Sequence, residues 1–161
     1  MTRVDPAGRR RARASALQIL YQSEVGRMGP QEAIGAFWGR DSAEDDSAAG
    51  TGATDDTVTD DLRAFANDLV RDTLARVEGI DQLLVAHAHN WRLERMAVID
   101  RLVLRLAVCE LLTHPETPPK VVINEALELA RTFSGDESVA FVNGVLDAVR
   151  KALPASSGRA E

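Results

Sequence analysis

Aromatic residues make up only 4% of the 161-residue chain, and cysteine occurs once, at Cys109. A core short of rings is aliphatic, and Leu, Val and Ala supply it, a composition that favours helix packing. A single thiol excludes a disulfide framework and a cysteine-rich metal site, which leaves Cys109 as a small buried apolar residue. No apolar run approaches the roughly 18 residues of a membrane span, and the arginines near the start are not followed by the apolar segment of a signal peptide. Neither is expected, and the chain reads as cytoplasmic. Strand alternation, a glycine-rich phosphate loop, zinc-ligand spacing and a nucleophile elbow are also missing, so no enzyme class announces itself. The length suits one domain or two small subdomains around a real core.

The net charge of −6 hides an asymmetry. Residues 1–21 hold Arg3, Arg9, Arg10, Arg11 and Arg13 against Asp5, a surplus of +4 that leaves −10 for the remainder. A basic head on an acidic body points to a local polyanion contact, with the acidic remainder available to a basic partner. From Arg9 the sequence RRRARASALQILYQSEV has a helical period, with Ala14, Leu17, Leu20, Tyr21 and Met28 on one face. Arg11 and Gln18, seven apart, share a flank of that helix. Arginines at a helix N-terminus oppose the helix dipole, which argues against a purely structural role. Phosphate contact accounts for the choice of guanidinium groups, and a solvated basic segment is the alternative.

Further along, Pro30 opens a helix with Ala33, Ile34, Phe37 and Trp38 at helical spacing. Residues 39–57 (GRDSAEDDSAAGTGATDDT) are small, polar and acidic and read as a flexible loop whose spacing misses a calcium-binding pattern. Thr59 suits the cap of a third helix carrying Leu62, Phe65, Ala66, Leu69, Val70, Leu74 and Val77, which Gly79 would end. The fourth has Ile80, Leu83, Leu84, His87, Ala88 and Trp91 as its stripe. His87 and His89, two apart, fall on different sides of a helix and do not make a metal pair. The segment Val98 to Leu112 (VIDRLVLRLAVCELL) is apolar over most of its circumference and is the central helix, with a narrow polar strip at Arg101 and Arg105. Glu110 points into its apolar face and needs a partner there.

After a turn with three prolines comes a helix over 121–133, with Ile123, Ala126, Leu127, Ala130 and Phe133 inward. Ser134 and Gly135 break it, and the last helix, 137–153, turns Val139, Val142, Val145, Leu146, Val149 and Leu153 inward. Phe141 and Asn143 flank that stripe. An aromatic at the edge of a helix face either caps the core or stacks on a nucleobase. The expected fold is all-α, with about seven helices in two packed bundles, over 9–79 and 80–153. Residues 1–8 form a disordered lead-in and residues 154–161 a disordered tail.

Taken together, RRRARASALQILYQ, WRLERMAVIDRLVLRLAVCELL, PPKVVINEALELARTF and FVNGVLD resemble the NusB family of transcription antitermination factors. The resemblance covers most of residues 9–150 in order, with VINEALELA and FVNGVLD its most specific pieces; the acidic stretch 39–57 lies outside it. It implies a non-enzymatic RNA-binding protein without a cofactor or metal. Such a protein pairs with NusE, a small-subunit ribosomal protein, binds the single-stranded boxA element of ribosomal RNA leaders, and joins RNA polymerase with other Nus factors. On this chain the resemblance implies RNA contact by Arg9, Arg10, Arg11, Arg13, Gln18, Tyr21 and Phe141. It sets Asp100 and Arg105 on a face turned to the partner or the RNA, and Glu137 where RNA affinity is tuned. Some relatives also self-associate, so a homodimer covering the RNA surface is a further expectation. Two other readings stand beside it: a detached RNA-targeting domain of a ribosomal RNA cytosine methyltransferase, against which the missing catalytic-cysteine motif counts, and a helical DNA-binding regulator.

Overall fold

The structure, a computed structural model, describes residues 6–45, 60–88 and 92–154. They form seven α-helices: α1 (Pro6–Gly26), α2 (Pro30–Asp45), α3 (Asp60–Ala75), α4 (Val77–His87), α5 (Val98–Thr113), α6 (Pro119–Phe133) and α7 (Asp136–Ala152), with a 3-10 turn at Leu93–Arg95 ahead of α5. No strand occurs among the described residues. The chain divides into two compact units, Met1–Arg71 and Asp72–Glu161.

In the first unit, Pro6 opens α1, where its fixed φ suits a helix and its missing N–H costs nothing. Residues 6–8 of the expected lead-in are therefore helical, and residues 1–5 lie outside the described residues. Ala12, Ala16, Leu17, Ile19 and Leu20 are at most 1% exposed and give α1 a continuous buried face. The helix ends where Arg27 turns left-handed at φ 53°. The Ser23 carbonyl there accepts from the Met28 N–H at 3.0 Å, and the Ser23 hydroxyl donates to the Met28 carbonyl at 2.7 Å. Helix α2 packs on α1 and buries Ala33, Ile34 and Trp38. The Trp38 indole N–H donates to Asn67 Oδ1 of α3 at 2.8 Å, which lets a large ring be buried with its polar atom satisfied. Arg71 Nη2 donates to Gln31 Oε1 at 3.1 Å and ties the same two helices nearer the surface.

Helix α2 continues to Asp45, so residues 39–45 of the acidic stretch are helical and 46–57 lie outside the described residues. The composition of 39–57 speaks to burial. A helix already nucleated at Pro30 gains one hydrogen bond for each residue added, and Ala43 and Glu44 are good helix formers.

In the second unit, α5 packs against α4, α6 and α7. Eight of its residues, Leu102 to Leu104 and Leu106 to Glu110, are buried, as the wide apolar circumference required. Leu104, Val103 and Val108 are fully enclosed, and truncating such a leucine to alanine costs about 2–5 kcal/mol. Glu110 is 2% exposed and is not left without a partner.

A further boundary and one buried stripe differ from the sequence reading. The step from α3 to α4 falls at Arg76 (φ −107°, ψ 10°), and Gly79 sits inside the first turn of α4. Glycine there costs little, because a first-turn residue carries less of the helix's hydrogen bonding. On α6 the buried stripe is Val122, Ile123, Ala126, Leu129 and Ala130, while Leu127 is half-buried and Phe133 is 37% exposed. Phe133 closes the helix, so less packs over it than over the interior turns.

Pro118 (φ −58°, ψ 137°) caps α6 and Pro119 occupies its first position. At the other end the Ser134 and Gly135 N–H groups both donate to the Ala130 carbonyl, at 2.9 and 2.8 Å. Gly135 then takes φ 141°, ψ 169°, a conformation open essentially to glycine alone, and this one residue reverses the chain into α7. Residue 154 follows α7 as irregular chain, and 155–161 lie outside the described residues.

Candidate nucleic-acid interface

On α1 the arginine row divides by helical phase. Arg10 is exposed, Arg9 and Arg11 are half-buried, and Arg13 is only 5% exposed. Arg13 shares its side of the helix with Ala12, Ala16 and Leu20, so it goes inward with them. Its guanidinium carbon lies 5.6 Å from the centre of the Phe65 ring of α3, and that of Arg9 lies 4.7 Å from the same ring. Arg13 is thus a packed cation of the first unit, which sets it apart from the other three arginines expected to contact RNA. Gln18 is exposed and Tyr21 is 42% exposed. At 3.6 residues per turn, Arg10, Gln18 and Tyr21 fall within about a quarter turn of one another, and Arg11 lies beside Gln18. They make one polar ridge along the helix, basic at its start and aromatic towards its end.

In the second unit Asp100 stands in the first turn of α5, half-buried. Its Oδ2 accepts from the Ser138 hydroxyl of α7 at 3.0 Å, and Ser138 Oγ lies 2.8 Å from Ser134 Oγ. Asp100 Oδ1 is buried without a hydrogen-bond partner. Ser138 follows the exposed Glu137 and precedes the half-buried Phe141 by about one turn, so its hydrogen bond sets Asp100 against the first turn of α7. Arg105 reaches a different helix. Its Nε and Nη2 both donate to the Asp81 carboxylate of α4 at 2.8 Å, a bidentate pair with the Arg105 side chain 14% exposed. That fork is engaged in joining α4 to α5.

Sequence reasoning missed three contributors. Phe65 was counted with the apolar stripe of α3, yet it is half-buried while Ala66, Leu69 and Val70 are fully enclosed. The four-residue spacing of Arg9 and Arg13, which puts both on one helix face, was the available signal. For Asp81 and Ser138 no comparable signal exists, since each acts through a residue 24 or 38 positions away.

Cys109 is fully buried beside Thr113, whose hydroxyl donates to the Cys109 carbonyl at 2.8 Å. Burial raises its thiol above the ordinary value of 9.0, partly opposed by the Thr73 and Thr113 hydroxyls. His87 ends α4 half-buried, and His89 lies outside the described residues. No group of three His, Cys, Asp or Glu side chains able to hold a metal occurs among the described residues. No helix of the described residues is long and apolar enough to cross a membrane.

An all-helical scaffold presenting a basic and aromatic ridge on its first helix defines a helical binding protein. Residues 10–151 match the NusB family, and the chain belongs to it. The transcription antitermination protein NusB of Koribacter versatilis is 42% identical over 147 residues, 91% of each chain. Among solved structures, NusB of T. maritima superposes with a TM-score of 0.74 at 28% identity over 93% of both chains. A crystal structure of the antitermination factors NusB and NusE in complex with dsRNA matches with a TM-score of 0.71 at 26% identity, over 91% of this chain and 98% of that one. The family is one of transcription antitermination proteins and not of enzymes.

Proposed function

We propose that this chain binds the boxA element of ribosomal RNA leader transcripts together with NusE. In this reading it acts in the cytoplasm and joins RNA polymerase with other Nus factors to suppress premature termination. The observation that carries the reading is the α1 ridge: Arg10 exposed, Arg11 half-buried beside Gln18, and Gln18 and Tyr21 continuing the same face, with Arg9 half-buried on the neighbouring flank over Phe65. Arginines supply phosphate attraction that is indifferent to sequence, while rings stack on unpaired bases, at about 1–3 kcal/mol for each stacked base. Tyr21 and Phe141 are the aromatic candidates, and Asp100, bonded to Ser138 of α7, and Glu137, next to Ser138 in the chain, are candidates for tuning RNA or partner contact. Arg13 is left out of the contact set because it is buried, and Arg105 because Asp81 holds its guanidinium. The relative solved with NusE and double-stranded RNA supports both partner classes. A net charge of −10 outside the first 21 residues suits a basic ribosomal protein.

The test is transcription in a purified system, through a terminator placed downstream of a boxA-containing leader, with NusE and the other Nus factors present. Added protein is expected to raise read-through only on templates with intact boxA. Equal read-through with boxA scrambled would refute the proposal.

A further inference from the structure

Resting on the RNA reading above, we infer that Phe65 is a positioning residue of the RNA site, whose ring holds Arg9 and Arg13 in common and fixes how the arginine row is presented. The ring of α3 lies 4.7 Å from the Arg9 guanidinium carbon and 5.6 Å from that of Arg13, both within the reach of a cation over an aromatic face. The two cations differ in exposure. Arg13 is 5% exposed and anchors the contact from within, while Arg9 is half-buried and lies at its margin. Stacking engages the flat face of a guanidinium and leaves N–H donors at its edge, which are the groups that grip phosphate. Arg9 can therefore rest on Phe65 and still reach RNA.

Phe65 is half-buried beside the enclosed Ala66, Leu69 and Val70, so part of its ring stays accessible to the two arginine side chains of α1. Arg9 and Arg13, four apart on one helix, repel one another, and the negative face of a ring offsets that repulsion. A long side chain ordered before binding also loses less freedom when phosphate arrives.

The experiment measures binding of a fluorescein-labelled boxA RNA by the full chain with NusE, for the wild type, Phe65→Leu and Phe65→Tyr, each with and without Arg9→Ala. Leucine keeps an apolar side chain and removes the ring face; tyrosine restores the face. Phe65→Leu is expected to weaken RNA binding by about two- to five-fold, the equivalent of one exposed cation–ring contact, with the cooperative melt retained. Phe65→Tyr is expected to bind as the wild type does. Arg9→Ala is expected to cost less in the Phe65→Leu background than in the wild type, a coupling that mere loss of packing does not produce. Phe65→Met, also apolar and ringless, gives the same comparison if Phe65→Leu fails to melt cooperatively. Wild-type binding with unchanged or tighter binding by the ringless variant, or strictly additive costs, overturns the inference alone. A wild-type protein that ignores boxA RNA overturns the RNA reading and this inference with it.

Discussion

Replacing Arg10 with alanine removes the most exposed cation of the α1 ridge, and the structure sets how much salt dependence should go with it. Arg9, Arg10 and Arg11 keep accessible surface, whereas Arg13 is 5% exposed and holds its charge against Phe65. Each phosphate neutralised on a single strand contributes about −0.7 to the slope of log K against log salt, so three arginines give about −2. Four would give about −3. Between about 50 and about 200 mM salt the wild type should lose roughly 20-fold in affinity, and Arg10→Ala roughly 7-fold. Fluorescence anisotropy of a boxA RNA titrated at five salt concentrations reads the slope directly. Arg13→Met should leave the slope near the wild-type value and act on stability. An unchanged slope in Arg10→Ala, or an Arg13→Met variant that flattens the slope equally, would refute the division of the row into outward and packed arginines.

Asp81→Ala deprives the Arg105 guanidinium of both its carboxylate contacts, at 14% exposure of the arginine side chain. With allowance for solvent reaching the pair, urea unfolding should register a loss of about 1–3 kcal/mol, and a double-mutant cycle with Arg105→Ala should show coupling. Two glycines should respond with opposite sign. Gly135→Ala forces a side chain into φ 141° although nothing blocks the Cβ, and should destabilise by about 1–3 kcal/mol; Gly144→Ala, in the exposed middle of α7 with open space around it, should stabilise by up to about 1 kcal/mol. Thermal melts of the pair decide it. The Cys109 thiol, raised above 9.0 by burial, should react with a disulfide reagent only as fast as the protein opens, and denaturant should release it. Because its native value exceeds the unfolded one, the stability it contributes is fully present below about pH 9 and declines as pH rises through the native value.

The central helix was legible because α5 is apolar nearly all round, and only a helix enclosed by neighbours can satisfy that pattern. Pro30 fixed the start of α2, since proline pre-sets the first turn, and α6 begins at Pro119, two residues before the expected 121, for the same reason. Gly79 misled because glycine ends helices often yet is tolerated in a first turn, and the change of direction fell to Arg76 instead. The inward turn of Arg13 was hidden because arginine is counted as a surface residue until an aromatic from another helix accepts it, and Phe65 lies 52 residues further along the chain. The capture of Arg105 by Asp81 is of the same kind: a motif position names the residue, while the fold decides where its charge is spent.

The most direct measurement is anisotropy of a boxA RNA, a scrambled RNA of the same length and an RNA duplex, each titrated with this protein at one salt concentration, with and without purified NusE. The account requires a preference for boxA that sharpens when NusE is added. Equal binding to all three RNAs, indifferent to NusE, would contradict it and leave α1 as a basic ridge without a sequence to read.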